Sequence, residues 1–336
     1  MATDLAAVKN AVTRGQLAKV TALLKGVTLA NGQTSKTAPL VGEALSRGHV
    51  AIAALLLEHG ARPPASEGAS LLVATIKADG AALVPPLLAA LGDGAAAAVA
   101  DLVREWTPLM HAAKAGTLEA IAALLTAGAD VDARMPRHGG TALMVAVQYS
   151  QLDAVRRLLA AQASVEVADA QGWSALQWAA QIGPLGPIEA LLEAGASVTM
   201  PTADGSSSAM MVAVENGHLA AADRLLTAGA DPEATDAQGW TGLIIASAAG
   251  QRGLATRLLE AGASVATRTK GAARTALMAA SNAGHLGTLG LLLSAPGCDA
   301  ELLNASDAQG TTAAMLAAKN GHAAVLDALL AAGAEP

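Results

Sequence analysis

Seven histidines, one cysteine and three near-identical Asp turns are the residues that could do chemistry in this chain. Imidazole titrates near neutral pH, so a histidine is the first candidate for a general base or a metal ligand. His49, His218, His285 and His322, however, each follow a glycine directly. A side chain repeated at one position of a recurring pattern serves architecture, and these four are expected to bond neighbouring backbone. His59 stands before Gly60 and reads the same way. His111 falls on a helix and is expected to be half-buried. His138, beside Arg137 in a loop, is open to contact with a partner. Cys298 has no histidine at a fixed spacing to activate it as a nucleophile.

Asp169, Asp236 and Asp307 open the turns DAQGW, DAQGW and DAQGT. Calcium wants about six to eight oxygens, and each turn brings one carboxylate. The Asp side chain is better read as capping its own turn, with Gly172, Gly239 and Gly310 supplying positive φ. No HExxH, phosphate-loop or CxxC pattern occurs. Gly92-Asp93-Gly94 followed by Ala95-Ala96-Ala97 mimics a dinucleotide-binding loop but follows no strand, and it reads as the start of an Ala-rich helix. The expectation is a chain with no catalytic residues, no cofactor and no metal.

The elements around these residues explain their regularity. In WTPLMHAAKAGTLEAIAALLTAGADV, residues 106–131, Thr107 is placed to cap a helix and Pro108 follows at its first position. Gly116 ends that helix, and a second helix carries Ile121, Leu124 and Leu125. Neither helix is long enough to stand alone in water. The same frame recurs with anchors at Thr141, Ser174, Ser208, Thr241, Thr275 and Thr312, at steps of 34, 33, 34, 33, 34 and 37 by subtraction. Upstream, Pro39 and Ala6 carry weaker copies, with Gly48 and Gly15 in the glycine place and Leu56-Leu57 and Leu23-Leu24 as the paired leucines. Residues 68–91 form a poor copy whose anchor is either Ser70 or Leu71. Pro85-Pro86 fits a helix start, whereas Pro184 and Pro187 are expected to loosen or shift one. The step of 37 implies a longer loop over 296–306.

Composition fits thin stacked helices. Hydrophobic residues make up 53% of the 336, yet aromatics are 1% and Phe is absent, so the core must be built from Ala, Leu and Val. A net charge of −7 argues against broad attraction to nucleic acid or anionic membranes. Apolar runs are interrupted by Gly or charge, so no membrane insertion is expected. The N-terminal residues do not read as a secretory leader, and the single cysteine fits a reducing, cytoplasmic setting.

A period of about 33 residues with T-P-L-x-x-A resembles the ankyrin-repeat family over nearly the whole chain. The matching pieces are WTPLMHAA, GTALMVAV, GWSALQWAA, GWTGLIIAS, RTALMAAS and the turns GADV, GADP and GASV. Met110, Met144, Gln177, Ile244 and Met278 stand where the family often has a histidine that bonds turn backbone. The resemblance implies an all-α, right-handed solenoid of about ten helix–turn–helix repeats with short β-turn fingers. The expected division is degenerate repeats over 1–90, an irregular helical join over 91–104 and regular repeats over 105–336, in one continuous array.

The resemblance further implies non-catalytic binding of a partner protein or peptide on the concave finger and first-helix surface, as a scaffold or adaptor. Fingertip residues before the anchor are Trp106, Trp173 and Trp240, with Gln171 and Gln238 in the same turns. Each indole either anchors a partner or packs along its own hairpin. Trp106 is the less secure, because Glu105 replaces the finger glycine. Tyr149, Gln148, Gln181, Glu215 and Asn216 precede the inter-helix turn and would face the same groove. Trp178, four after its anchor, is expected in the core. The mixed polar and apolar surface suits protein better than nucleic acid. A monomer is expected. The alternatives are a self-associating structural spacer, or a ligand-binding protein with a site near 68–104.

Overall fold

The computed structural model describes residues 5–25, 31–202, 205 and 207–335. They hold twenty-two α-helices and three 3-10 turns, with strand pairing limited to three isolated bridges. Two compact units are present, Met1–Ala170 and Gln171–Pro336.

Each unit is a stack of five helix pairs. In the first, the leading helices Leu5–Thr13, Asn31–Ser46, Gly68–Lys77, Pro108–Ala115 and Ala142–Gln148 pack in that order. Their second helices, Leu17–Leu24, Val50–Glu58, Val84–Leu91, Leu118–Thr126 and Leu152–Ala160, form a parallel row. In the second unit the leading helices begin at Ala175, Ala209, Gly242, Ala276 and Ala313, again packed in order. Their second helices begin at Leu185, Leu219, Arg252, Leu286 and Ala323.

Local chemistry starts and stops these helices as the sequence implies. Thr107, Thr141, Ser174, Ser208, Thr241, Thr275 and Thr312 each accept a hydrogen bond from the amide three residues on. Each bond satisfies one amide that the first helical turn would otherwise leave unpaired. The first leucine of each pair, Leu124, Leu158, Leu191, Leu225, Leu258, Leu292 and Leu329, is fully buried. Leading helices meet through Ala, Val and Met. Met110, Met144, Met211 and Met278 are buried, so at these positions an apolar filler replaces a polar side chain.

Four expectations change. The poor copy keeps the Ser70 register, since the residue nine further on, Asp79, takes the positive φ of the inter-helix glycine, +57°, but Ser70 lies inside the helix Gly68–Lys77 and does not cap it. Pro184 and Pro187 do not shift their helix. It begins at Leu185, two after Gly183, as in the other regular repeats. Pro184 is the cap and Pro187 lies in the first turn, where amides have no helical partner to lose. The long step over 296–306 is not only a loop, since Asp299 caps a helical turn, Ala300–Leu303. Lastly, residues 81–100 do reach membrane-spanning length and apolarity, with mean hydropathy 1.6. They do not form one helix: Val84–Leu91 stops at Gly92, and a 3-10 turn leads into Ala95–Ala100. Leu83, Val84, Leu87, Leu88, Leu91, Ala98 and Val99 are buried in the stack.

Consecutive repeats are clasped at the inter-helix turn. The imidazole of His218 lies over Gly183 and its Nε2 meets the Gln181 carbonyl at 3.0 Å. His285 does the same over Gly250 with Ala248, at 3.1 Å, and His322 over Gly284 with Asn282, at 3.2 Å. Gln151 replaces the histidine over Gly116, donating to the Lys114 carbonyl at 3.3 Å. A Cβ on Gly183 would stand 2.6 Å from His218, while one on Gly229 meets nothing within 4 Å. Both glycines have positive φ. We expect Gly229→Ala to cost about 1–2 kcal/mol from backbone strain alone. Gly183→Ala should cost about 1 kcal/mol more, because it also breaks the imidazole bond. Paired urea melts of the two variants measure the difference, and His218→Ala should remove it.

Candidate interaction surface

The fingers are built from Asp, Gly and backbone pairing. Asp236 accepts from the amides of Gln238, at 2.9 Å, and Trp240, at 2.7 Å. Asp307 repeats this with Gln309 and Thr311, both at 2.9 Å. Gly172, Gly239 and Gly310 all have φ near +79°. Successive fingers are joined by backbone bonds, Ala170 to the His138 carbonyl at 2.8 Å, Lys270 to Gln238 at 2.8 Å and Ala308 to Ala272 at 3.0 Å. Arg134 reaches the Ala168 carbonyl, and Asp132 accepts from Ser164 at 2.9 Å. The backbone bonds of this finger-to-finger ladder have no signature in the repeat letters.

The finger before Trp106 forms although Glu105 stands in place of its glycine. Val103 and Trp106 pair in both directions, the Val103 amide donating at 2.8 Å and the Trp106 amide at 3.3 Å. Arg104 and Glu105 make the two-residue turn with φ of +54° and +71°. Such turns favour Asn and Gly, so this one is strained. Glu105 is tied to Arg137 at 2.7 Å.

Trp106, Trp173 and Trp240 are half-buried. The tip indoles of Trp106 and Trp173 lie over their own leading helices rather than standing free. Trp106 meets His111 with ring centroids 5.4 Å apart, and Trp173 meets Trp178, also at 5.4 Å. Trp178 is therefore half-buried beside a fingertip, not in the core. His111 and Trp178 are both four after their anchors, so the two ring pairs are equivalent contacts in two repeats. The Lys114 ammonium sits 5.7 Å from the Trp106 ring and 4.5 Å from that of Tyr149.

Tyr149, Gln148, Gln171, Gln238, Gln181, Glu215 and Asn216 all present exposed side chains. Within the second unit, desolvation pushes the Glu215 carboxyl up, and Asp236 adds to it. The Asn216 amide is turned back onto the Val212 carbonyl at 2.8 Å, which leaves it less free to bind. His138 is exposed, as is Arg137, which pairs with Glu105.

Gln177 takes over the work of the family's histidine. It is buried, accepts from the Ser174 amide at 2.8 Å, and donates to the carbonyls of Met200 at 3.2 Å and Ser207 at 3.1 Å. One side chain thus fixes its own helix start and the next finger.

A cavity of about 470 Å³ is lined by Ile76, Lys77, Arg104, Trp106, His111, Lys114 and Ala115. Burial holds the His111 imidazole below its ordinary value, and Lys77, Lys114 and Arg104 lower it further. Burial raises the Cys298 thiol, so its thiolate is disfavoured. Among the described residues, no three His, Cys, Asp or Glu side chains gather as a metal site.

Helix pairs stacked through capped leading helices, with hydrogen-bonded fingers between them, define an all-α protein of the right-handed ankyrin-repeat solenoid class. The family model described as ankyrin repeats (3 copies) matches overlapping stretches at 71–169, 109–202, 158–236, 188–269, 210–302 and 243–336. The chain belongs to the ankyrin-repeat family. A crystal structure of the human ASB11 ankyrin repeat domain is similar at 27% identity and a TM-score of 0.60, covering 69% of this chain and all of that one. No curated protein matches the chain. Ankyrin repeats generally mediate protein–protein interaction and are typically non-catalytic.

Two outcomes follow from these contacts. Gln177→Met should cost about 2 kcal/mol, since the buried Ser174 amide and the part-buried Met200 and Ser207 carbonyls lose its bonds, whereas Met144→Leu should cost less than about 1.5 kcal/mol; urea denaturation compares them. Hydrogen bonds from the Thr311 amide first hold the Asp307 carboxyl below its ordinary value of 3.8. The folded state therefore gains stability above that value and loses it as pH falls through the lowered pKa. The deficit of Asp307→Ala against wild type should be full at about pH 7 and shrink by about pH 3, read as the gap between urea midpoints.

Proposed function

We propose that this chain is a non-catalytic scaffold or adaptor that binds a partner protein or peptide on its finger and leading-helix surface. One observation supports this above the others. The fingertip indoles Trp173 and Trp240 are half-buried yet reach solvent, on fingers pinned by hydrogen bonds. A rigid, partly exposed indole combines large apolar area with a donor and loses little entropy on binding. Exposed Gln171, Gln238, Gln181 and Glu215, and in the first unit Gln148 and Tyr149, offer polar contacts of the kind found at an interface rim.

The remaining parts of the reading rest on sequence. The repeat frame supports the division into 1–90, 91–104 and 105–336, and the lone Cys298 supports a reducing, cytoplasmic setting. Net charge supports a protein partner over nucleic acid. We take the working form to be a monomer.

Affinity capture with wild type against a Trp173→Ala/Trp240→Ala double variant, read by mass spectrometry, tests the proposal. Partners captured by wild type should fall at least about ten-fold with the double variant. Because Trp173 also packs on Trp178, its loss should cost about 1 kcal/mol of stability, short of unfolding. Unchanged capture together with a strongly lowered melting temperature would reject the binding role of these indoles.

A further inference from the structure

The cavity between the third and fourth repeats joins three cations to an indole. Lys77 and Lys114 occupy the same place in consecutive repeats, seven after Ser70 and Thr107. Arg104 comes from the strained finger turn and lines the same cavity with Trp106. All three cationic side chains are exposed, and among the described residues none makes an ion pair. Glu105 is bound to Arg137, and Asp79 lines a different cavity with Gly48 and His49. Lys114 is instead held over the rings of Trp106 and Tyr149. In a chain of net charge −7, this is a local concentration of unneutralised positive charge.

From the interaction-module reading, we propose that this cavity is a docking site for an acidic peptide segment of a partner protein. Lys77, Arg104 and Lys114 would take its carboxylates, and Ile76, Trp106 and Ala115 its apolar flank. Peptide is favoured over nucleic acid by the extent of the charge. The matching positions on either side of the two lysines are Ser46 and Gln148, so the patch is two repeats wide and ends in neutral residues. A phosphate backbone would want the cations to continue. Carboxylate is also matched by geometry: an arginine fork and two ammonium groups face a cavity of about 470 Å³ with an apolar wall, room for a few side chains.

The probe is a fluorescein-labelled peptide of alternating Leu and Glu, measured by anisotropy against the full chain. Its control replaces every Glu by Gln. The Glu peptide should bind at least about ten-fold tighter than the Gln peptide, and weaken as salt screens the contact. Lys77→Glu/Lys114→Glu should lose at least about ten-fold, while Lys319→Glu, at the same repeat position in the second unit, should lose nothing. Circular dichroism checks that each variant keeps its helix content. The proposal fails if Glu and Gln peptides bind alike, or if the double reversal keeps full affinity. It also fails if inorganic phosphate or a single-stranded oligonucleotide displaces the peptide more effectively than an unlabelled Glu peptide does. Capture that depends on Trp173 and Trp240, with no preference for the Glu peptide, rejects this site and leaves the module reading standing. The reverse result rejects the indole surface and leaves this site standing.

Discussion

Every repeat depends on one turn, between its two helices, where the chain must take positive φ and the next repeat must come close. Glycine meets both demands at once. At Gly183, Gly250 and Gly284 the left-handed backbone ends the first helix, and the missing Cβ leaves the space that the next repeat's imidazole fills. The imidazole then bonds the last carbonyls of the helix it covers. Helices of seven to nine residues have no independent stability in water. Their order comes from this contact between neighbours, so a histidine one position after the glycine is an element of register rather than of catalysis.

The thin core follows from the same constraint. Repeats held this close favour small or flexible side chains between leading helices. The buried faces are Ala112-Ala113, Ala179-Ala180, Ala213, Ala246 and Ala280, with methionine filling gaps. Alanine buries little area per residue, so many small contacts must replace a few large ones. Polar groups inside such a core need fixed partners, and they have them at the anchors, where Thr107, Thr141, Ser174, Thr241 and Thr275 are buried and cap their helices. Gln177 is the extreme case, a buried amide whose bonds reach both its own helix and the next finger. It shows that the family's histidine position needs a bridging polar group in one repeat and merely a filled volume in others, such as Met110 or Met278.

Periodicity made the fold legible because each letter of the frame has one physical job. The caps, the glycines, the buried leucine and the Asp turns were all readable from spacing. What escaped was conformation supplied by residues of the wrong type. Asp79 adopts the left-handed turn without being glycine, which hid the Ser70 register. Arg104 and Glu105 do the same in a finger that lacks glycine altogether. Neighbours held in place by packing and by paired backbone can impose a backbone that local preference disfavours. Pro184 and Pro187 misled in the opposite direction, because a cap and a first helical turn have no helical amide bond for proline to break.

The candidate surface was legible only in part, for a related reason. The frame says which face a residue takes, so Tyr149, Gln148 and the tip tryptophans could be placed. It does not say what lies across from them. Trp178 follows the core pattern by position but meets Trp173 instead, and His111 meets Trp106 in the same way. The gathering of Lys77, Arg104 and Lys114 needed three things at once: the true register of a degenerate repeat, a strained turn with no sequence signature, and the stacking of two leading helices. Each departs from the regular pattern or goes beyond it. In a solenoid the regular positions are committed to stacking, so chemistry specific to one chain is most readily placed where the frame is broken. The irregular stretch before Trp106 is such a place: its two-residue turn carries Arg104, which lines the cavity.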